Sequence, residues 1–564
     1  MTGKFMTIDN IPIELTGEEK NLLEVIRRTG IELPTFCYYS ELSVYGACRM
    51  CMVENSHGGM EAACSTVPKA GMEIYTNTER LHKHRKMILE LLLANHCRDC
   101  TTCQKNGKCR LQELASLFGL ESIRFKNLKP EPELDTSSLS IIRDAHKCIL
   151  CGDCVRMCNE IQNVGAIDFV NRGSKMVIGP AFNEPIANSP CVGCGQCAAV
   201  CPTGAIVIRK DTGRVWPELN DKNTKVVAQV APAVRVAMAK EFGLPENENS
   251  MGRITAALRR LGFDEVYDTA TGADLTVLEE SNEFLQRIEA GENLPLITSC
   301  CPAWIQYCEK NHPELMKNIS TCKSPMQMFS SVIKAEYANS SRRVVCVAIM
   351  PCPAKKFECA REEFMHDGVP ETDYVITTQE LIQMIHKAGI VFDELEPEAV
   401  DPEFSTSTGA GVIFGVTGGV TEAVLRRLST DKSKKALLSI AFNDVRGMKG
   451  VKETTIPYGD KEVRIAIVSG LKNAESVIQA LKNGEHFDFI EVMACPGGCV
   501  AGGGQPFGTN ATKEVRGKAL YSADKMLSIK RSEENPLMLS LYDGVLKGRV
   551  HELLHVHYNH KEEE

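Results

Sequence analysis

The densest chemistry in this chain is carried by three short stretches rich in cysteine. They read Thr298-Ser299-Cys300-Cys301-Pro302-Ala303-Trp304, Met350-Pro351-Cys352-Pro353-Ala354-Lys355-Lys356-Phe357-Glu358 and Met493-Ala494-Cys495-Pro496-Gly497-Gly498-Cys499, the last followed by Val500-Ala501-Gly502-Gly503-Gly504-Gln505. Together they can supply four thiolates to a cubane iron–sulfur cluster, the usual complement, and leave one thiol over.

Further cysteine sets stand upstream. Cys37, Cys48, Cys51 and Cys64 are spaced C-x10-C-x2-C-x12-C. A C-x2-C alone fits a zinc knuckle. Four cysteines behind a hairpin and a helix fit a small β-grasp domain holding [2Fe–2S], although the spacing departs from the plant-type pattern. His96, Cys100, Cys103 and Cys109 follow as H-x3-C-x2-C-x5-C. An isolated histidine is ordinarily a surface or core residue, but one heading three cysteines reads as a ligand; Cys97 beside it is expected to stay unliganded. Cys148-x2-Cys151-x2-Cys154-x3-Cys158 is then repeated as Cys191-x2-Cys194-x2-Cys197-x3-Cys201-Pro202, with Asn159 where the first run would carry proline. This is the bacterial two-cluster ferredoxin pattern, in which the fourth cysteine of each run ligates the other cluster. Cys148, Cys151, Cys154 and Cys201 are therefore one expected set, and Cys158, Cys191, Cys194 and Cys197 the other. Zinc needs no such crossed octet.

Composition narrows the class. The chain has 564 residues, 25 of them cysteine. No N-terminal stretch reads as a signal peptide and no apolar run is long enough for a bilayer, so the expected setting is cytoplasmic, with reduced cysteines rather than disulfides. The net charge of −9 comes without a basic block, which argues against nucleic acid as a partner.

The elements that must position these residues follow from patterning. Phe5 to Leu15 alternates around Asp9-Asn10 and reads as a hairpin, and a short helix runs from Asn21 to Thr29. Leu81 to Leu93 is apolar at helical spacing. After about residue 211 the pattern changes: buried strands are expected at 226–230, 344–350, 464–468 and 489–493, and helices at 251–261, 324–337 and 378–388. Continuous strands alternating with helices argue for parallel sheets covered on both faces, with ligands beyond the carboxyl ends of the strands. Each of the three cysteine stretches follows such a strand. Glu280 and Glu283 share one face of a helix, a pattern that by itself usually means a solvated face. Gly409-Ala410-Gly411 and Gly415 to Gly419 do not form a nucleotide-binding fingerprint. Cys308, Cys322, Cys346 and Cys359 read as small buried hydrophobes. Residues 536–560 read as an amphipathic helix, with a frayed end at Lys561 to Glu564.

Over nearly its whole length the chain resembles the [FeFe]-hydrogenases, through the three cysteine stretches and the upstream cluster motifs; the motifs of residues 1–210 are also similar to those of the large iron–sulfur subunit of respiratory complex I. The resemblance implies an α+β multidomain protein. It comprises an N-terminal β-grasp [2Fe–2S] domain (1–80), a His/Cys3 [4Fe–4S] domain (81–127), a two-cluster bacterial-ferredoxin domain (128–210), a two-lobed α/β H-cluster domain (211–505) and a helical C-terminal, small-subunit-like segment (506–564). It implies an enzyme catalysing reversible H2 oxidation, with electrons carried by one [2Fe–2S] and three [4Fe–4S] clusters. Cys301, Cys352, Cys495 and Cys499 would hold a [4Fe–4S] cubane, with Cys499 bridging to a diiron unit carrying CO, cyanide and azadithiolate. Lys355 would pair with a cyanide, and Glu358 would anchor the Lys355 loop. Met350, Met493, Ala231, Pro232, Ser324 and Pro325 would line the pocket, and the glycines of 502–504 would let backbone approach the cluster. The implied proton path runs from Cys300 through Glu280, Ser320 and Glu283 to a surface Arg287. Ala233 and Met326 stand where well-known single-chain members carry a hydroxyl residue and a glutamine. Ala303 and the run from Ala354 to Glu358 look more like catalytic subunits of multi-subunit, NAD(P)-linked and electron-bifurcating enzymes. Implied partners are ferredoxin, flavin- and iron–sulfur-containing NAD(P)-linked subunits, and maturation proteins.

Two other classes compete with that reading. A pure electron-transfer subunit, as in complex I, explains residues 1–210 but gives the four downstream ligand cysteines no purpose. A hydrogenase-like scaffold or sensor keeps cubane ligands without turnover, but has no use for Cys300, Glu280 and Glu283 as a relay.

Overall fold

The computed structural model describes residues 4–127, 133–429, 445–447, 449–458 and 461–558. The expected fraying at Lys561 to Glu564 lies outside them.

The N-terminal hairpin forms because Asp9 and Asn10 tolerate positive φ, here 50° and 70°, as a tight two-residue turn requires. It joins β1 (Phe5–Ile8) to β2 (Ile11–Glu14). With β3 (Met52–Asn55), β4 (Met60–Ala62) and β5 (Glu73–Tyr75) it makes a sheet of order β2-β1-β5-β3-β4, in which β1 and β5 are parallel. Helix α1 (Leu22–Arg28) starts where the Asn21 side chain accepts the Glu24 N–H, and it buries Leu22, Leu23, Val25 and Ile26. Its company in the core includes Met6, Ile8 and Val53 of the sheet, which gives the β-grasp arrangement. Helix α2 (Glu79–Ala94) is capped by Thr78, and α3 (Arg110–Leu117) begins directly after Cys109. Between them lies the mostly exposed loop that carries His96, Cys100 and Cys103.

The next unit is held by two small antiparallel pairs, β6 (Ile141–Arg143) with β9 (Ile206–Ile208) and β7 (Asp168–Val170) with β8 (Val177–Gly179). Its two short helices, α4 (Asp153–Arg156) and α5 (Gln196–Val200), each follow a left-handed glycine, Gly152 and Gly195.

The second half has two sheets. After α6 (Thr212–Asn220), the first contains β10 (Thr224–Val230), β11 (Glu265–Asp268), β13 (Arg343–Met350) and β16 (Tyr374–Thr377) in the order β11-β10-β13-β16, all parallel. The core of this lobe sets β10 and β13 against α7 (Met251–Leu261) and α12 (Thr378–Lys387) on one face. On the other face, α8 (Ala270–Ala290) and α10 (Pro325–Glu336) bury Leu275, Leu278, Phe329 and Val332. The second sheet has the order β12-β19-β18-β17, from β12 (Leu296–Ile297), β17 (Val451–Tyr458), β18 (Lys461–Ser469) and β19 (Phe489–Met493). Its edge strand β17 runs antiparallel to β18, so this lobe is mixed rather than purely parallel; β17 alternates in burial and lacks the continuous apolar run that marks the central strands. Helices α9 (Pro302–Asn311) and α11 (Ala354–Glu358) follow the first two cysteine stretches. A small hairpin, β14 (Met365–His366) with β15 (Val369–Pro370), precedes β16. Then come α13 (Gly409–Val412), α14 (Gly419–Leu428), α15 (Leu471–Lys482) and α16 (Asn510–Met526).

The C-terminal segment differs from expectation. It is two short helices, α17 (Pro536–Asp543) and α18 (Val550–Leu554), because the chain turns from Gly544, with Gly548 at φ 74°. Leu541, Leu546, Leu553 and Leu554 still enter the core, while Leu539 is 67 % exposed. The leucine periodicity thus records burial without recording the break.

Candidate active site

Three parallel strands end at one crevice. β12 runs into Thr298, β13 closes with Met350 and β19 closes with Met493, so the three cysteine stretches emerge together at carboxyl strand ends, where open α/β sheets place their ligands. They enclose a cavity of about 90 Å³ lined by Cys300, Cys301, Cys352, Cys495 and Cys499, with Lys355 entering from the start of α11. Ala231, Pro232, Ala233, Pro325, Met326, Met350 and Met493 also line it. Ser324 does not line it: it is the buried residue preceding α10, and its hydroxyl has no hydrogen-bond partner among the described residues.

The donor chemistry suits an iron–sulfur group. Burial, and after it the charges of neighbouring thiols, pushes the Cys495 and Cys499 thiols up to about 12 and raises Cys352 well above its usual range. Four anionic sulfurs in so apolar a space need a cationic centre, and coordination is what deprotonates a thiol. Among the described residues Lys355 is the one ammonium lining this cavity; its Nζ donates to the Cys300 carbonyl at 3.2 Å and pairs with Glu358 Oε2 at 2.7 Å. Among the described residues no group of three or more His, Cys, Asp or Glu is gathered around a point that a single ion would fill. The sets rim volumes instead.

The same holds upstream. Cys148, Cys151, Cys154 and Cys201 line one small cavity, and Cys158, Cys191, Cys194 and Cys197 line another. The second cavity lies against the crevice. Gln196 Nε2 donates to the Ala501 carbonyl at 2.9 Å, and Ser140 Oγ donates to the Pro353 carbonyl at 3.0 Å. A Cβ on Gly503 would stand 2.5 Å from the Cys194 carbonyl oxygen, so only glycine allows the two chains to pass this closely. Cys37 and Cys48 are neighbours, with the Cys48 N–H donating to Cys37 Sγ at 3.3 Å, and Cys51 faces Cys64. Cys37 and Cys48 pack in the same core cluster as Cys109 and Cys151, which brings three of the upstream sets to a common centre. The Arg98 N–H donates to His96 Nδ1 at 3.1 Å. Cys97 is half-buried, its N–H donating to the His146 carbonyl.

Behind Cys300, helix α8 presents three glutamates. Glu280 is 1 % exposed, and neither carboxylate oxygen meets a partner in bonding geometry. Burial first, then the Glu283 and Glu491 charges, raises it to about 8, with the Ser320 hydroxyl and the Ser299 N–H offsetting part of the rise. Cys300 is raised further, chiefly by burial and then by Glu280. Ser320 Oγ donates to Glu283 Oε2 at 2.7 Å, and Arg287 Nη2 pairs with Glu283 Oε1 at 2.6 Å. Arg287 is less of a surface group than expected: only 12 % of its side chain is exposed, because it also donates to the Asn293, Asn318 and Ile319 carbonyls.

Comparison with known proteins gives the same picture along the chain. The family described as iron only hydrogenase large subunit, C-terminal domain, matches residues 224–503. A 2Fe-2S iron–sulfur cluster binding domain matches 6–79, the NADH-ubiquinone oxidoreductase-G iron–sulfur binding region 85–124, a 4Fe-4S dicluster domain 147–209 and the iron hydrogenase small subunit 510–561. The chain is 41 % identical to the NADP-reducing hydrogenase subunit HndD of Solidesulfovibrio fructosivorans, over 96 % of both chains. It is 35 % identical to iron hydrogenase 1 of Clostridium pasteurianum, over 96 % of this chain and 98 % of that one. The chain belongs to the iron-only hydrogenases. Among solved structures, a variant of the [FeFe]-hydrogenase HydA1 from Chlamydomonas reinhardtii superposes with a TM-score of 0.54 at 36 % identity, covering 62 % of this chain and 98 % of that one.

This hydrogenase catalytic subunit thus carries iron–sulfur domains ahead of an H-cluster domain. No helix of the described residues is long and apolar enough to cross a membrane. Several groups at the hydrogenase site carry no motif and escaped the reading of the sequence. Thr269, Ala273 and Phe414 complete the cavity wall. Gln505 holds the Ala233 carbonyl at 2.9 Å. Lys356, beside Lys355, turns away and joins Asp211 at 2.7 Å and Glu380 at 3.0 Å, which ties the start of α6 to α12 within the first lobe. Gly409 and Gly411, unexplained by nucleotide binding, permit close helix packing: a Cβ on Gly411 would lie 2.4 Å from the Ala270 carbonyl oxygen at the start of α8.

Proposed function

We propose that the chain interconverts H2 with protons and electrons at an H-cluster held by Cys301, Cys352, Cys495 and Cys499, with Cys499 as the bridging ligand to the diiron unit. When bound, that group supplies the two-electron chemistry of H2; the chain supplies containment, orientation and proton traffic. The observation that carries the reading is the shared cavity of four ligand thiols, a spare thiol and one ammonium. Lys355, fixed by Glu358, offers a charge-assisted hydrogen bond to an anionic ligand of the iron. Met350, Met493 and Phe414 supply an apolar wall that excludes water.

Protons move along Cys300, Glu280, Ser320, Glu283 and Arg287. Burial tunes the Glu280 carboxyl close to neutral pH, where a relay exchanges a proton at least cost in either direction. Electrons pass through the Cys158/Cys191/Cys194/Cys197 cluster, which abuts the crevice, then through the Cys148/Cys151/Cys154/Cys201 cluster. From there they reach the [2Fe–2S] set of Cys37, Cys48, Cys51 and Cys64 and the His96/Cys100/Cys103/Cys109 cluster, whose neutral imidazole ligand raises its potential. The likeness to an NADP-reducing hydrogenase subunit over nearly full length supports flavin- and iron–sulfur-containing NAD(P)-linked partner subunits, with ferredoxin as a further carrier. The working compartment is cytoplasmic, and maturation proteins install the diiron unit.

The test is anaerobic co-expression with the maturation machinery, followed by native purification. Carbonyl and cyanide infrared bands, H2-dependent dye reduction and co-purifying subunits that reduce NAD(P)⁺ only as a complex are expected. Absence of the bands beside a positive control would refute the assignment.

A further inference from the structure

The relay is clasped from outside by the end of the chain. Val556 N–H donates to the Thr321 carbonyl at 2.7 Å, Lys323 N–H to the Leu554 carbonyl at 2.8 Å, and Cys322 bridges to His555 in an antiparallel contact. Lys323 Nζ reaches the Glu552 carbonyl at 3.1 Å. Residues 552–556 thus run beside 321–323, the stretch that immediately follows relay residue Ser320.

His555 makes the side-chain contact of this clasp. Its Nδ1 meets Thr321 Oγ1 at 2.9 Å, and its Nε2 meets Glu279 Oε2 at 3.1 Å. Glu279 is the α8 residue next to Glu280; burial works to raise it, but the His555 and Tyr542 hydrogen bonds outweigh burial and hold its carboxyl below the usual range. The His555 and Glu279 side chains are each only 8 % exposed. On the inner side, the Thr321 N–H donates to both oxygens of Glu283, at 3.2 and 3.1 Å, beside the Ser320 hydroxyl. Glu283 is therefore aimed by Ser320, Thr321 and Arg287, and the Thr321 arm is set by the C-terminus. Among the described residues, the charged and titratable groups around His555 are Glu279, Tyr542 and the tilted ring of His551, with Arg427 close to Glu279 and with Glu283 and Cys322 behind Thr321.

We propose that His555 is a positioning residue of the proton relay: anchored by Glu279, it fixes the Thr321 backbone, which in turn holds Glu283 in register with Ser320. The inference rests on the relay reading above. It gives residues 552–556 of the small-subunit-like segment a role in turnover, separate from the packing of its helix α16 beside Cys499. A relay works only while its members stay in near-contact geometry, and a displacement of about 1 Å can cost orders of magnitude in rate.

The experiment compares holoenzymes carrying His555→Ala, His555→Gln, Glu279→Gln and Glu283→Gln, each purified anaerobically. Readouts are H2 uptake with a viologen dye, the KM for H2, the solvent isotope effect and the infrared bands of the active-site ligands. His555→Ala is expected to lose about ten-fold in turnover with an enlarged solvent isotope effect, while the KM for H2 and the infrared bands stay as in the parent. His555→Gln, which keeps one N–H donor, recovers part of the loss, and Glu279→Gln loses turnover in the same way; these two also decide the matter if His555→Ala fails to fold. Parent turnover and isotope effect in all three His555 and Glu279 variants, with Glu283→Gln inactive, would overturn the clasp and leave the relay standing. An active Glu283→Gln would overturn the relay and the clasp with it. Activity lost only in step with the infrared bands would mean a structural role and would also overturn the proposal.

Discussion

Glu280→Gln separates what the relay needs from what the fold would prefer. In the folded protein this carboxyl titrates at about 8 against an ordinary value of 4.5, with burial as the main cause. The difference of 3.5 units corresponds to ~5 kcal/mol at 1.36 kcal/mol per unit. The sign follows from linkage: the folded state holds the proton more tightly, so its stability is greatest below about pH 4.5 and falls as pH rises, until both states are ionised above about pH 8. Glutamine has the same shape and nothing to ionise. The variant should gain stability relative to the parent as pH rises through that window, by a few kcal/mol at most, since surrounding structure relaxes around a buried charge.

Turnover should move the other way. A carboxyl that hands on a proton is worth roughly 10²–10⁴ in rate, so Glu280→Gln should lose at least ~10²-fold in H2 oxidation, with its infrared bands unchanged. The assay pairs dye-linked H2 uptake with anaerobic thermal scans of parent and variant at pH 5.5 and 8.5, at one scan rate because iron–sulfur proteins unfold irreversibly. A variant that turns over within a factor of two of the parent, or whose stability difference does not grow with pH, would refute the argument that this burial serves proton transfer.

Further outcomes follow from other contacts. Cys300→Ser should collapse turnover while leaving cluster iron content and infrared bands intact, because Cys300 lines the cavity but is spare to the ligand set. Cys158→Ala should remove the cluster signal shared with Cys191, Cys194 and Cys197 and spare that of Cys148, Cys151, Cys154 and Cys201, as electron paramagnetic resonance of the reduced protein would reveal; Cys201→Ala should do the reverse. Lys356→Ala strands Asp211 and Glu380 as buried charges, a loss of about 3–5 kcal/mol for a broken buried pair. Its melting temperature should fall by several degrees with the active-site bands retained.

Much of the ligand chemistry was legible because metal ligation is written in local spacing. The two ferredoxin runs are each a few residues long, and their crossed partnership is visible in which thiols share a cavity. The central strands were legible for a related reason: a strand buried on both faces must be mostly apolar, and β10, β13 and β19 are, with Gln229 and Glu491 as buried polar exceptions. The edge strand β17, half exposed, carries no such run. The break at Gly544 was hidden because two short helices can bury the same leucines as one long helix.

What stayed illegible depends on pairing across long sequence separation. Nothing in the run Ala354-Lys355-Lys356-Phe357 says that one lysine enters the active-site cavity while its neighbour crosses to Asp211; α11 simply points successive side chains to different faces. Glu279, Glu280 and Glu283 likewise look like one solvated helix face. Tertiary contacts give them distinct settings: Glu279 is held below the usual range by His555 and Tyr542, Glu280 is raised chiefly by burial, and Glu283 is fixed by Ser320, Thr321 and Arg287. The raised Glu280 carboxyl is the one of these settings that suits proton transfer, since a proton passes most readily through a group whose affinity lies near the working pH. The helix supplies their proximity and the neighbouring elements supply the differences, so the relay we propose would belong to α8, the 320–323 stretch and residues 552–556 jointly.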